Sequence, residues 1–131
     1  MLEVGGTVGR YRILRTLESG IAGTSFLARD AGGDRDVVLT VYAADLDWGD
    51  ARDRFAAEAG RLVLLRHAHL VPVEAYGEHQ ARPYIVAEHV RGMPLSAAVA
   101  REHGHSLTER LEWMEALCAA IGHAHEQGIV H

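Results

Sequence analysis

The chain has 131 residues, 48% of them hydrophobic and 24% charged, which supports one globular domain with a core and argues against disorder. Its formal net charge of -5 argues against a nucleic-acid or anionic-membrane partner, because both need clustered cations; a nucleotide held by a few backbone amides stays compatible. Cys118 is the single cysteine, no apolar run approaches the ~18 residues of a membrane span, and the start lacks a basic region followed by an apolar one, so a cytoplasmic protein without a membrane segment is expected.

From the amino terminus, Tyr11, Ile13, Arg15 and Leu17 alternate and predict a half-buried strand with these four on one side. Gly20 to Gly23 predicts a turn, followed by a short strand from Thr24 to Arg29. Asp30-Ala31-Gly32-Gly33-Asp34 reads as a hairpin loop, and Asp36 to Tyr42 as a third strand rich in valine. The period then changes. Asp50 is placed as an N-cap, and Phe55, Ala59, Leu62 and Val63 recur at helical spacing as far as Arg66.

Val71 to Tyr76 and Pro83 to Glu88 predict two further strands, joined around Gly77 to Arg82, and Gly92-Met93-Pro94 breaks the chain again. Ser106 with Glu109 three residues on forms a capping box for a last helix. Along it Leu107, Leu111, Met114, Leu117, Cys118 and Ile121 make one apolar stripe, and Gly128 marks the stop. No internal repeat, low-complexity tract or linker interrupts this order.

Six stretches then line up with one family. Leu17-Glu18-Ser19-Gly20-Ile21-Ala22-Gly23-Thr24-Ser25-Phe26-Leu27-Ala28 resembles the glycine-rich loop of protein kinases, and Val37-Val38-Leu39-Thr40 stands where the strand motif V-A-I-K belongs. Arg54-Phe55-Ala56-Ala57-Glu58 resembles the start of helix C in bacterial serine/threonine kinases. His67-Ala68-His69-Leu70-Val71-Pro72 is similar to their H-P-N-I-V-P connection, and Tyr84-Ile85-Val86-Ala87-Glu88-His89-Val90 to the fifth strand and hinge. Ala124-His125-Glu126-Gln127-Gly128-Ile129-Val130-His131 is similar to the run into the catalytic loop, with His131 as the histidine of H-R-D.

The resemblance implies an α+β, protein-kinase-like fold: a five-stranded antiparallel N-lobe sheet with helix C, then the hinge and the first C-lobe helices. It places the N-lobe at about 8–88, the hinge at 89–92 and the start of the C-lobe at 93–131. The sequence ends inside the catalytic-loop motif, so a truncation is expected ahead of a natural end at His131, and the catalytic aspartate, the metal-binding asparagine and the D-F-G aspartate are not in it.

Phosphoryl transfer is mostly positioning and charge stabilisation, with backbone amides over the phosphates and a lysine beside them held by a helix C glutamate. The resemblance assigns Leu17, Glu18, Ser19, Gly20, Gly23, Ser25, Val38, Ala87, Glu88 and Val90 to the nucleotide. Gly20 and Gly23 keep two of the three glycines and serve either a phosphate or a plain hairpin turn. Glu18 stands at the first glycine position with the wrong sign for a triphosphate. Thr40 stands at the lysine position, and no catalytic set is intact. All 13 basic residues are arginine, so no lysine is available from elsewhere in the chain. Arg29 and Arg35 are near in sequence, but arginine is longer and planar, and both fall at hairpin ends.

Glu58, the helix C glutamate by resemblance, is expected to serve now as a solvated helix residue, or, if buried, to find an arginine or sit on a displaced helix, because a buried carboxylate without a partner is costly. Ser25 in place of valine and Val38 in place of alanine each weaken an adenine site by ~1 kcal/mol. The small Ala87 at the gatekeeper position leaves a back pocket open, and adenine would be read by backbone groups of Glu88 and Val90. Leu62, Val73 and His131 match the apolar spine of the family; an ordinary core role predicts the same burial for Leu62 and Val73. Nine histidines raise a metal hypothesis, but His123 and His125 fall on a helix, where this spacing diverges, and no cysteine pair or carboxylate cluster completes a set, so no metal is assigned.

Three functions follow as expectations. The first is a serine/threonine-kinase-like pseudokinase with weak or vestigial ATP binding and a regulatory role. The second is an incomplete part of an active divergent ATP-dependent kinase, in which Mg binds only with C-lobe residues outside this sequence. The third is a non-catalytic interaction module. In each, the partner is another protein or the rest of the same kinase domain.

Overall fold

The computed structural model describes residues 2–44, 50–101 and 104–130. His103 and His131, and with His131 its assigned catalytic-loop and spine roles, lie outside the described residues. The chain divides into two compact units, Met1–Leu65 with Pro72–His89 and Arg66–Val71 with Val90–His131.

The first unit is an antiparallel sheet of six strands in the order β1-β2-β3-β4-β6-β5: β1 Thr7–Val8, β2 Tyr11–Ser19, β3 Gly23–Asp30, β4 Arg35–Tyr42, β5 Val73–His79 and β6 Arg82–Glu88. The five strands expected are therefore six. The added one is two residues long, turned at Gly9 (φ 56°) so that Val8 pairs with Tyr11. The Gly5 amide donates to the Ile13 carbonyl, and Ile13 donates back to Gly6. Two residues are too few to show a period in sequence.

The core sits on one face, where Val8, Ile13, Ala28, Val37, Leu39 and Val86 are closed to solvent and Phe26 and Val41 nearly so. Each large aliphatic side chain buried there contributes ~1.5–3 kcal/mol. In β2 the expected alternation breaks. Register shifts between Ile13 and Arg15 and between Thr16 and Glu18 leave Leu14 and Leu17 as bulge residues. Tyr11 and Ile13 are buried as their spacing predicts, but Arg15 and Leu17 are exposed, because the bulge at Leu14 turns Arg15 to the other face and Leu17 is itself a bulge residue.

β5 starts at Val73, not Val71, because Pro72 has no amide to donate and its carbonyl instead accepts from Glu88. It continues through Gly77 to a two-residue turn, Gln80 and Ala81, both at positive φ (50° and 62°). Such turns usually contain asparagine or glycine, so the sequence carried no signal for this one. α1, Ala51–Leu64, packs against β5 and β6, with the Phe55 ring set edge-on to Tyr42 at 5.4 Å. Asp50 stands at its N-cap in helical geometry, and its side chain makes no capping bond.

The second unit carries α2, Leu95–Ala100, begun by Pro94, and α3, Leu107–Glu126. Both bonds of the Ser106–Glu109 capping box are present, at 3.2 and 2.8 Å. Gly128, at φ 79°, follows the end of α3 as a left-handed stop. Leu107, Leu111, Met114, Leu117 and Ile121 are all exposed along this helix. No helix among the described residues is long and apolar enough to cross a membrane.

Candidate functional site

Side chains on a strand alternate between faces, so the pairing register decides which candidate residues meet. Glu18 pairs with Ser25, Ser25 with Thr40 and Thr40 with Ile85, which makes one row across β2, β3, β4 and β6. Arg15, Leu27, Val38 and Ala87 form the next row by the same pairings. Both rows lie on the face opposite the core cluster. Tyr42 and Tyr76 share that face and meet α1 through Phe55 and Gly60. The fold thus gathers Glu18, Ser25, Val38, Thr40 and Ala87.

The row has a definite chemistry. Ser25 Oγ and Thr40 Oγ1 are hydrogen-bonded at 2.9 Å and partly buried, so the two hydroxyls satisfy one another. Such a bond contributes ~1 kcal/mol net, and it puts two neutral hydroxyls, not a cation, at this point of the face. Glu18, at the end of the row, is exposed.

Arg29 and Arg35 are committed elsewhere. Arg29 donates from Nε to Asp36 at 2.6 Å and from Nη1 to Asp34 at 3.1 Å, and Arg35 pairs with Glu74 at 2.5 Å. Asp36, then Asp34, stabilises the Arg29 charge and raises its pKa. Both arginines are thus held at the edges of their strands, as hairpin-end residues are. Arg15 is the cation that sequence spacing missed: the bulge at Leu14 carries it from the expected core side onto the candidate face.

The other assigned residues lie apart. Leu17 is the bulge residue itself. Ser19 is on the core side, its hydroxyl 3.0 Å from Thr24 Oγ1. The Gly20 amide donates to the Gly23 carbonyl at 2.9 Å, closing the turn. At Gly20 an added Cβ would meet nothing within 4 Å, whereas at Gly23 it would collide with the Val41 carbonyl. Gly23 is therefore required by its approach to β4, whether or not a phosphate is near. Glu88 ends β6 with its amide committed to Pro72 at 3.0 Å. Val90 belongs to the second unit and is exposed.

Glu58 is exposed on α1, as a solvated helix residue is, and has no arginine partner among the described residues. Exposure removes the need for one. Leu62 and Val73 are partly buried. His67 stacks at 5.1 Å from His123 in the second unit, yet no group of three or more metal-ligating side chains among the described residues is placed to hold an ion.

Elsewhere in the first unit, Asp30 is closed to solvent and accepts from the Gly32 amide at 2.9 Å and from Arg10 at 2.8 Å. The Gly32 amide first, with the Arg10 guanidinium adding to it, holds this carboxyl below the usual carboxylate range against the opposing effect of burial. Burial pushes the Tyr84 phenol upward, and the neighbouring Tyr11 adds to the shift.

No family model matches the chain. It is similar over 127 residues, at 35% identity, to the serine/threonine-protein kinase PrkC of Bacillus subtilis, covering 94% of this chain and 19% of that protein. Over 136 residues it is 33% identical to the serine/threonine-protein kinase PknA of Mycobacterium tuberculosis, covering 98% of this chain and 32% of that one. The crystal structure of the M. tuberculosis PknI kinase domain superposes with a TM-score of 0.86 at 25% identity, over 100% of this chain and 53% of the other. The chain thus spans a fifth to a third of the length of these curated relatives and about half of the solved domain.

Proposed function

We propose that this chain, a protein-kinase-like domain segment homologous to bacterial serine/threonine-protein kinases, works by binding and regulation, as a pseudokinase with weak or vestigial ATP binding. The observation that carries this reading is the Ser25–Thr40 hydroxyl pair at the lysine position. A charge contact at 4 Å is of order 4 kcal/mol near a protein surface, far more than a neutral hydroxyl supplies. Glu18, in the same row, opposes a phosphate instead of attracting it. The residues present therefore fit a triphosphate poorly, and no phosphoryl-transfer step is assigned to them.

The partner in this reading is a second protein or further kinase-domain chain, packed on the exposed apolar stripe of α3. ATP and Mg use is a property of the kinases it resembles, and here Mg would need carboxylates outside this sequence.

A second reading, part of an active divergent kinase, is favoured by the retained kinase-domain fold at a TM-score of 0.86. The discriminating experiment assays ATP turnover by the longest natural version of the polypeptide, with Glu58→Gln as the control. No turnover is expected. Turnover abolished by Glu58→Gln would establish a working kinase and end the pseudokinase reading.

A further inference from the structure

Three histidine rings meet within the second unit. His67 and His69 lie in the connection Arg66–Val71, and His123 lies in the last turn of α3. The His67 ring centre is 5.1 Å from that of His123, with the two planes inclined by 35°, and 5.6 Å from that of His69. His67 and His123 are partly buried, and His69 is exposed. Among the described residues no three metal-ligating side chains are placed to hold an ion, so the chemistry open to this cluster is the gain and loss of protons.

His67 is the informative member. Its Nδ1 accepts from the His69 amide at 3.0 Å, and its carbonyl accepts from the Leu70 amide at 3.2 Å, so one residue closes the turn of the connection twice. A backbone N–H can only donate, so Nδ1 carries a lone pair and the ring is neutral, with its proton on Nε2. Protonation puts a hydrogen on Nδ1 and removes the acceptor. It also sets a cation against two further imidazoles, and like charges at that spacing repel. No carboxylate compensates: among the described residues none is ion-paired with His67, His69 or His123. Glu126, one turn beyond His123 on α3, is exposed and makes no such pair, and Arg66, next to His67, brings a further positive charge to the connection.

We propose that His67 and His123 form a pH-sensitive latch that holds the Arg66–Val71 connection on α3, closed while His67 is neutral and released when it is protonated. In sequence this connection joins α1 to β5, and it is the one part of the second unit drawn from before Val90. Opening the latch breaks the His69–His67 bond of the turn and separates the His67 and His123 rings, so the connection loses its hold on α3 while the capping box at the far end of that helix stays in place. The latch uses no residue of the candidate nucleotide face and stands whichever reading of the function holds.

The test is hydrogen exchange read by mass spectrometry on the longest natural version of the polypeptide, with rates corrected for the intrinsic effect of pH. Exchange in the peptide spanning Arg66–Val71 should rise ~10-fold or more as the pH falls from about 7.5 to about 5.5, with its midpoint where histidine titrates. A peptide spanning β3 and β4 should keep its protection over the same range, a comparison that needs no variant. His67→Asn supplies a neutral side-chain oxygen that accepts an amide two residues on, and should leave the connection protected at both pH values. His125→Asn, a histidine outside the stack, should leave the wild-type response intact. The latch is overturned by protection of the connection that does not change with pH, or by a midpoint below about pH 5, where carboxylates titrate. It is equally overturned by the same rise in the β3–β4 peptide, by a pH response that survives His67→Asn, or by one that His125→Asn removes.

Discussion

Ser25 on β3 and Thr40 on β4 face each other across the ladder with their hydroxyl oxygens 2.9 Å apart. In sequence they are two unrelated departures from the kinase pattern the chain resembles, which would put one at an adenine-facing position and one at the lysine. In the fold they are one feature, because a hydroxyl at either position would lose this partner if the other changed.

That coupling is measurable. Ser25→Ala and Thr40→Val should each cost ~1 kcal/mol, since each leaves one partly buried hydroxyl unpaired. The double variant should cost less than the sum by ~0.5–1 kcal/mol. Urea denaturation of the four proteins gives the cycle, and strict additivity would show that the bond contributes nothing.

The two turn glycines should respond very differently to substitution. Gly23→Ala forces a methyl group against the Val41 carbonyl and should destabilise by ~1–3 kcal/mol. Gly20→Ala enters open space and should change stability by less than ~0.5 kcal/mol. Equal effects in denaturant titrations would mean that the approach of Gly23 to β4 is not what selects glycine there.

Restoring charge at the lysine position should not by itself restore nucleotide binding. Thr40→Lys puts an ammonium beside Ser25 with Glu58 exposed on α1 and Glu18 still in the row. Mg-ATP should produce no thermal shift with Thr40→Lys, and a shift only when Glu18→Gly is added. A large shift from Thr40→Lys alone would show that Glu18 is no obstacle.

Acid should weaken the first unit through Asp30. Its folded pKa lies below the ordinary carboxylate value, so the unfolded chain binds the proton more readily. The stability this carboxylate contributes is present above the unfolded pKa near 4 and is lost as pH falls through the lower folded value. Urea midpoints measured from pH 6 to pH 3 should fall more steeply for the wild type than for Asp30→Asn, which begins less stable. Parallel slopes would remove Asp30 from the acid response.

Helix α3 rests on a local cap. Ser106→Ala removes the acceptor for the Glu109 amide and should cost ~1 kcal/mol, read as lost helical circular dichroism on mild heating. No loss would show that the capping box is redundant in this helix.

Much of the fold was legible because it is local. The capping box at Ser106 and Glu109, the hairpin loop from Asp30 to Asp34 and the left-handed stop at Gly128 each need only a few adjacent residues. The order of strands and helices followed from hydrophobic period and from motif order. Less legible were the Gln80–Ala81 turn, which lacks the usual turn residues, and β1, which is too short for a period.

The candidate site was legible as a set of positions but not as chemistry. Which residues could stand at the lysine, first-glycine and helix C positions is written in Thr40, Glu18 and Glu58, and the lack of any lysine is absolute. Only the folded chain decided that Thr40 is satisfied by Ser25, that Arg29 and Arg35 are held by carboxylates, and that a bulge turns Arg15 onto the candidate face. The same holds for Gly23, whose need for glycine comes from β4. The physical reason is common to all of these. Strand register and bulges are set by contacts between residues far apart in sequence, and a shift of one residue reverses which face a side chain occupies.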